Sequence, residues 1–179
     1  MGLLDFLHRK PQKAGSAEMA SLKDARKALV QAGLQFSGKA GLCYKASDTC
    51  KDTINKAIRY PRGSGIAGMC RAADDSYGCT WIVLEDDNIE SAVTSAMAAF
   101  DAFEVSGCEP EFLCAVFAYE KDGKKVYWIY NRHGKFYPFV PEAEDRDNEL
   151  EIGLKRQLEE SMPVEIVLSQ WYPLWGMPL

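Results

Sequence analysis

The stretch 111–132 constrains the fold more than any other part of this chain. Two runs, Glu-Phe-Leu-Cys-Ala-Val-Phe-Ala-Tyr and Lys-Val-Tyr-Trp-Ile-Tyr-Asn-Arg, flank Glu120-Lys121-Asp122-Gly123. Both runs are rich in the aromatic and β-branched residues that suit a pleated surface. Asp-Gly supplies the positive φ angles of a tight hairpin turn, so the spacing predicts an antiparallel hairpin. A hairpin is marginal alone and must belong to a larger sheet with apolar cover.

The rest of the chain offers that sheet and that cover. Leu22, Ala25, Leu29 and Ala32 recur at helical spacing over 17–32, with Gly33 as a stop. A strand follows over 34–45, broken or bulged at Gly38 and Gly41. A short helix is expected after Ser47 or Asp48. Strands at 66–73 and 78–85 are joined through Asp74-Asp75-Ser76-Tyr77-Gly78, which carries turn residues. Asn88 caps a helix over 89–105, where Ile89, Val93, Met97, Phe100 and Phe103 form one stripe; Gly107 and Pro110 end it. His133-Gly134 turns the chain into a last strand at 135–140. Leu150, Leu154 and Leu158 mark a final helix starting near Asp145 and ending before Met162-Pro163, and 164–168 reads as one more short strand.

This order predicts an α+β fold, a mostly antiparallel β-sheet covered by helices. With the small helix taken as an insertion, it resembles the topology of type III secretion chaperones and YbjN-like proteins. The domain reading is an N-terminal apolar and basic segment with its linker over 1–16. A single α+β domain with a Trp/Pro-rich tail then covers 17–179.

Composition bounds function. With 179 residues, 47% of them hydrophobic, the chain can bury a sizeable core. No apolar run reaches the ~18 to 20 residues that span a bilayer. The start lacks a signal-peptide pattern, so a cytoplasmic location is expected. The formal charge is −5, and residues 72–120 hold eleven Asp/Glu and no Lys or Arg. Such a segment is a solvated acidic face or a surface for a basic partner, and it disfavours nucleic acid.

Catalytic patterns are missing. Gly63 to Gly68 lacks the strand and helix of a phosphate loop, and no Gly-x-Ser-x-Gly occurs. Asp74 and Asp75 are neighbours that point to opposite faces of a strand, which suits turn chemistry above a core Trp81 better than joint acid/base work. Six cysteines are expected as free buried thiols. There is no Cys-x-x-Cys pair, Cys43 and Cys50 lie seven apart, and only His8 and His133 could add imidazoles. The expectation is therefore no enzyme, no cofactor and no metal.

Two segments invite binding instead. Leu3, Leu4, Phe6 and Leu7, followed by His8, Arg9 and Lys10, form either a packed terminus or a peripheral membrane contact. Tyr137, Phe139, Trp171, Tyr172 and Trp175 lie in strings of aromatic residues and proline. They form either a tail folded back over the sheet or an apolar patch for a partner. Asp145, Asp147, Asn148 and Glu149 suit a helix start, where acidic groups meet free N–H groups.

Four strings together resemble the PspAB family, the small proteins associated with phage shock protein A. They are Asp75-Ser76-Tyr77-Gly78 with Thr80-Trp81, Phe136-Tyr137-Pro138-Phe139 with Pro141, Arg146-Asp147-Asn148-Glu149-Leu150, and Trp171, Pro173 and Trp175-Gly176. The resemblance runs from about Gly33 to the end of the chain. It implies an accessory role in envelope stress beside a phage shock protein A homologue and an HtpX-type membrane protease. It also implies that Arg146 and Asn148 face a partner, and it offers no catalytic set. The leading expectation is a non-enzymatic cytoplasmic adaptor, peripheral at the membrane. The alternative is a general chaperone-like module that binds extended clients as a homodimer.

Overall fold

The computed structural model describes residues 15–45, 47–59, 69–108 and 111–179. The expected membrane-contact residues Leu3, Leu4, Phe6 and Leu7 lie outside them.

Three short helical turns, α1 (Ser16–Met19), α2 (Ser21–Asp24) and α3 (Arg26–Gln31), follow one another and bury Met19, Leu22 and Leu29. Gly33 stops them as read, at φ +79°. Its N–H donates to the Val30 carbonyl and that of Leu34 to the Leu29 carbonyl, so two orphan carbonyls are satisfied. Strand β1 (Gln35–Tyr44) follows, with a register shift between Phe36 and Ala40 where Gly38 sits at φ +82°. Helix α4 (Asp48–Arg59) leads on to β2 (Met69–Asp74) and β3 (Thr80–Glu85).

Helix α5 (Ile89–Val105) matches its expected bounds, with Asn88 Oδ1 accepting the Ser91 N–H at 2.9 Å. Strands β4 (Phe112–Lys121) and β5 (Lys124–Asn131) form the expected hairpin, with Asp122 and Gly123 both at positive φ. Strand β6 (Phe136–Phe139), a small ribbon of β7 (Pro141–Glu142) and β8 (Asp145–Arg146), helix α6 (Asn148–Leu158) and a 3₁₀ turn (Leu168–Gln170) complete the order.

Among the described residues, six strands form one antiparallel sheet in the order β2-β3-β1-β4-β5-β6. The fold is α+β, as expected. Because side chains alternate along a strand, the sheet has two apolar faces. One carries Leu42, Tyr44, Ile82, Leu84, Phe117, Trp128 and Tyr130 and is covered by α1, α2, α3 and α5, with Cys50 and Ile54 of α4 and Leu154 and Leu158 of the last helix in the same core. The other carries Cys43, Trp81, Val83, Cys114, Val116, Tyr127, Ile129, Tyr137 and Phe139. Trp171 and the partly buried Leu174, Trp175, Met177 and Leu179 lie on it. The layers are helices, sheet and C-terminal tail.

Three readings need correction. The final helix starts at Asn148, because Asp145 and Arg146 pair with Glu142 and Pro141 in the β7–β8 ribbon. The run 164–168 is no strand; Val164 makes a single bridge to Phe136, and the chain then leaves the sheet edge. Finally, Cys50 and Cys108 form a disulfide between α4 and the end of α5, while Cys43, Cys70, Cys79 and Cys114 are free. Spacing could not show that pair, since its members lie 58 residues apart.

Candidate functional site

The aromatic strings meet on the second face of the sheet. Tyr137 and Phe139 alternate inward there from β6 and are 2% and 1% exposed. Trp171, 6% exposed, stacks on Tyr137 with ring centroids 6.1 Å apart, and its Nε1 donates to the Glu165 carbonyl at 3.0 Å. Trp175 meets the Phe139 ring edge-on at 5.1 Å. The Tyr137 hydroxyl donates to the Tyr172 carbonyl at 3.0 Å. Pro173 and Pro178 interrupt any ladder, so side-chain packing and these bonds order the tail.

Arg146 joins three elements. Its Nε donates to both Glu151 oxygens, at 3.0 and 2.8 Å, and Nη2 lies 2.7 Å from Glu151 Oε2. Nη1 donates to the Trp171 carbonyl at 2.8 Å. The guanidinium carbon sits 5.5 Å from the centre of the Phe139 ring. Glu151 also accepts the Val140 N–H at 2.8 Å. Burial pushes the Glu151 carboxyl above its usual range, although Arg146 and Val140 pull against it. Asp147 caps α6, with Oδ1 accepting the Leu150 N–H at 2.9 Å and Oδ2 held by Lys124 at 2.6 Å.

The expected patch of partner-facing residues is therefore divided. Tyr137, Phe139 and Trp171 are core. Arg146 is turned inward and engaged within the chain, because β8 aims it at Glu151. Trp175 is half-buried. Asn148 is exposed at the first turn of α6, and Tyr172 is 60% exposed.

A cleft opens beside Tyr172. It encloses about 450 Å³ and is lined by Leu113, Cys114, His133, Tyr137, Tyr172 and Leu174, among others. The chain approaching it is apolar and exposed: Ile166 at 68%, Val167 at 48% and Leu168 at 54%. Sequence reading missed this strip by assigning it to a strand, where alternate residues would be covered. The acidic segment 72–120 places Asp87, Asp101, Glu104 and Glu120 at exposed positions, and Glu90 pairs with Arg26 at 3.0 Å.

A second constellation lies at the β2–β3 turn. Asp75 Oδ1 accepts the N–H groups of Tyr77 and Cys79, both at 2.9 Å, and Oδ2 accepts Trp81 Nε1 at 2.9 Å. Burial pushes the Asp75 carboxyl up, but these donors outweigh it and hold it below its ordinary value. Asp74 turns away and accepts the Thr80 hydroxyl at 2.8 Å, as the alternation requires. Ligand atoms of Cys43, Asp75 and Cys79 lie within 4.8 Å of one another. Cys43 stands opposite Cys114 in the β1–β4 register. Contact with the Cys114 thiol and burial push the Cys43 thiol strongly up, while burial, with Cys43 and Asp75 adding to it, raises Cys79 to about 11. The local sequence could not reveal this cluster, because Cys43 arrives from another strand.

No helix among the described residues is long and apolar enough to cross a membrane. The family model described as PspA associated protein B (PspAB) matches residues 1–179, the whole chain, and the chain belongs to that family. Comparison with curated proteins and with solved structures gave no match.

Proposed function

We propose that this PspAB-family chain is a non-enzymatic adaptor that binds a phage shock protein A homologue. The cleft beside Tyr172 and the strip Ile166, Val167 and Leu168 form the contact surface. The family description, matched over the full length, supports a PspA-related accessory role. The observation that carries the choice of surface is that three consecutive exposed aliphatic residues precede, along the chain, the segment from Gln170 to Leu174 that lines a mostly apolar cleft. A soluble surface gains little by exposing such a run unless a partner covers it. Aromatic and aliphatic anchors entering a concave site are the usual centre of an interface. The acidic surface of α5 and its flanking loops would steer a basic partner helix, setting association rate more than affinity.

The test is titration calorimetry of the full chain with a purified phage shock protein A homologue at low and moderate salt. Tyr172→Ala and Leu168→Asp are expected to weaken binding roughly 10-fold or more, the scale of losing one interface anchor. Both side chains are exposed, so folding should be unchanged. Absence of binding would refute the partner, and full affinity in both variants would refute the surface. Salt-insensitive binding would remove the acidic face from the reading.

A further inference from the structure

We propose that Cys43, Asp75 and Cys79 form a zinc-binding site at the β2–β3 turn. The three ligand atoms already lie within 4.8 Å of one another. Zinc bonds of about 2.3 Å to sulfur and about 2.0–2.2 Å to oxygen put tetrahedral ligands roughly 3.5–3.8 Å apart, so modest side-chain rotation closes the set. Two thiolates with one carboxylate suit zinc and disfavour the hard cations calcium and magnesium, which take all-oxygen shells.

The backbone holds the donors in advance. Asp75 and Cys79 are the two ends of one turn, closed by the Asp75 N–H donating to the Cys79 carbonyl at 3.0 Å. Cys43 arrives on β1, where it pairs with Trp81 of β3, two residues beyond Cys79. Trp81 is 1% exposed, and its indole N–H fixes the Asp75 carboxylate. Ligating carboxylates are commonly oriented by such outer hydrogen bonds. Asp75 Oδ1 is filled by two backbone N–H groups, whereas Oδ2 accepts only the Trp81 indole N–H and retains a lone pair for an ion.

Burial and charge also fit. Cys43 is 3% exposed, giving the site a dry wall, whereas Asp75 and Cys79 are half-buried and leave an entry path. Two thiolates and a carboxylate around a dication leave one net negative charge. Lys45 stands beside the turn, its Nζ donating to the Tyr77 carbonyl at 3.2 Å, and supplies the balancing positive charge. The bound ion pins the β2–β3 turn to β1, and each thiol loses its proton to solvent on binding.

The experiment uses the purified full chain with thiols kept reduced, and cobalt as a spectroscopic stand-in for zinc. Expected is one cobalt per chain, with a thiolate-to-metal charge-transfer band and tetrahedral visible bands that zinc abolishes. Cys79→Ser, a half-buried position where folding is not at issue, should weaken metal binding by about 100-fold or more, beyond the loss typical of an outer hydrogen-bond partner. Cys43→Ser and Asp75→Asn should weaken it in the same direction. Cys70→Ser, on the other face of the sheet, should leave it intact, as should the Cys50→Ser/Cys108→Ser pair. Absence of stoichiometric uptake would overturn the site. So would retained binding in Cys79→Ser, or a signal that follows Cys50 and Cys108.

Discussion

Replacing Arg146 by Ala tests whether this side chain holds the tail to the sheet. The substitution leaves Glu151, 1% exposed, without its counter-ion. Breaking a buried pair from one side costs about 3–5 kcal/mol. The bond to the Trp171 carbonyl and the contact with the Phe139 ring are lost as well. These terms share one side chain and do not add, so a total of about 4 kcal/mol is expected, a large part of a typical stability of about 5–15 kcal/mol. Urea denaturation followed by tryptophan fluorescence reads it directly, because Trp171 and Trp175 sit in the affected layer. Arg146→Lys should fall between, since an ammonium cannot reproduce the forked contact. Arg146→Met with Glu151→Gln should recover at least half of the loss, because the amide keeps an acceptor for the Val140 N–H while the buried charge disappears. The pH response gives a further signature. The folded Glu151 carboxyl is already raised by burial, and without Arg146 it rises further. A carboxyl raised in the folded state contributes stability below its unfolded value of about 4.3, lost as pH climbs through the folded value. Arg146→Ala should therefore regain stability on acidification from neutral pH. A cost below about 1 kcal/mol would refute the reasoning, as would a double variant no better than the single one.

Substitutions at Asp147, Trp171 and Tyr172 have defined outcomes as well. Asp147→Ala removes the cap of α6 and should cost about 1 kcal/mol in the same denaturation assay. Lys124 and the Leu150 N–H hold the Asp147 carboxyl below its usual range. Its contribution is present above the unfolded value of about 3.9 and is lost as pH falls through the folded one, so the acid limb of a pH–stability curve should flatten in Asp147→Asn. Trp171→Ala, which empties a buried ring position, should cost about 3–5 kcal/mol, whereas Tyr172→Ala next to it should stay within about 0.5 kcal/mol. The latter retains the backbone carbonyl that Tyr137 uses, and thermal melts of the two variants give the contrast.

What could be read in advance follows from the range of the forces involved. The Asp122-Gly123 hairpin and the Asn88 cap are local, set by backbone geometry within a few residues, and both stand where periodicity put them. The start of α6 is ambiguous in the sequence because Asp145, Asp147 and Asn148 are all good capping types. Only the pairing of Arg146 with Pro141 selects Asp147. The thiol cluster and the Cys50–Cys108 link depend on strand order and helix docking, which no spacing rule encodes. Both faces of the sheet are apolar, so alternation alone could not tell which residues a helix covers and which the tail covers.

The covered second face changes where a partner surface must be sought. The strings that carry the family resemblance include Trp81, Phe136, Tyr137, Phe139 and Trp171, and all five are buried. Arg146, from the same strings, is engaged by Glu151 and Trp171. These residues shape a layer by which an irregular, proline-broken tail closes an open sheet without another helix. The aromatic part of the resemblance is thus written in packing, whereas Ser76, Tyr77, Asn148 and Glu149 from the same strings are exposed. On the proposed adaptor reading, recognition would use side chains that the packing leaves outside, among them Tyr172, the aliphatic strip before Trp171, Asn148 and the acidic rim. On that reading tail docking and partner binding would be linked, because the 3₁₀ turn that presents Leu168 is anchored by Trp171, whose N–H donates to the Leu168 carbonyl at 3.0 Å. A substitution that frees the tail, such as Arg146→Ala, should weaken partner binding without touching the contact surface, whereas Tyr172→Ala should weaken it with the fold intact.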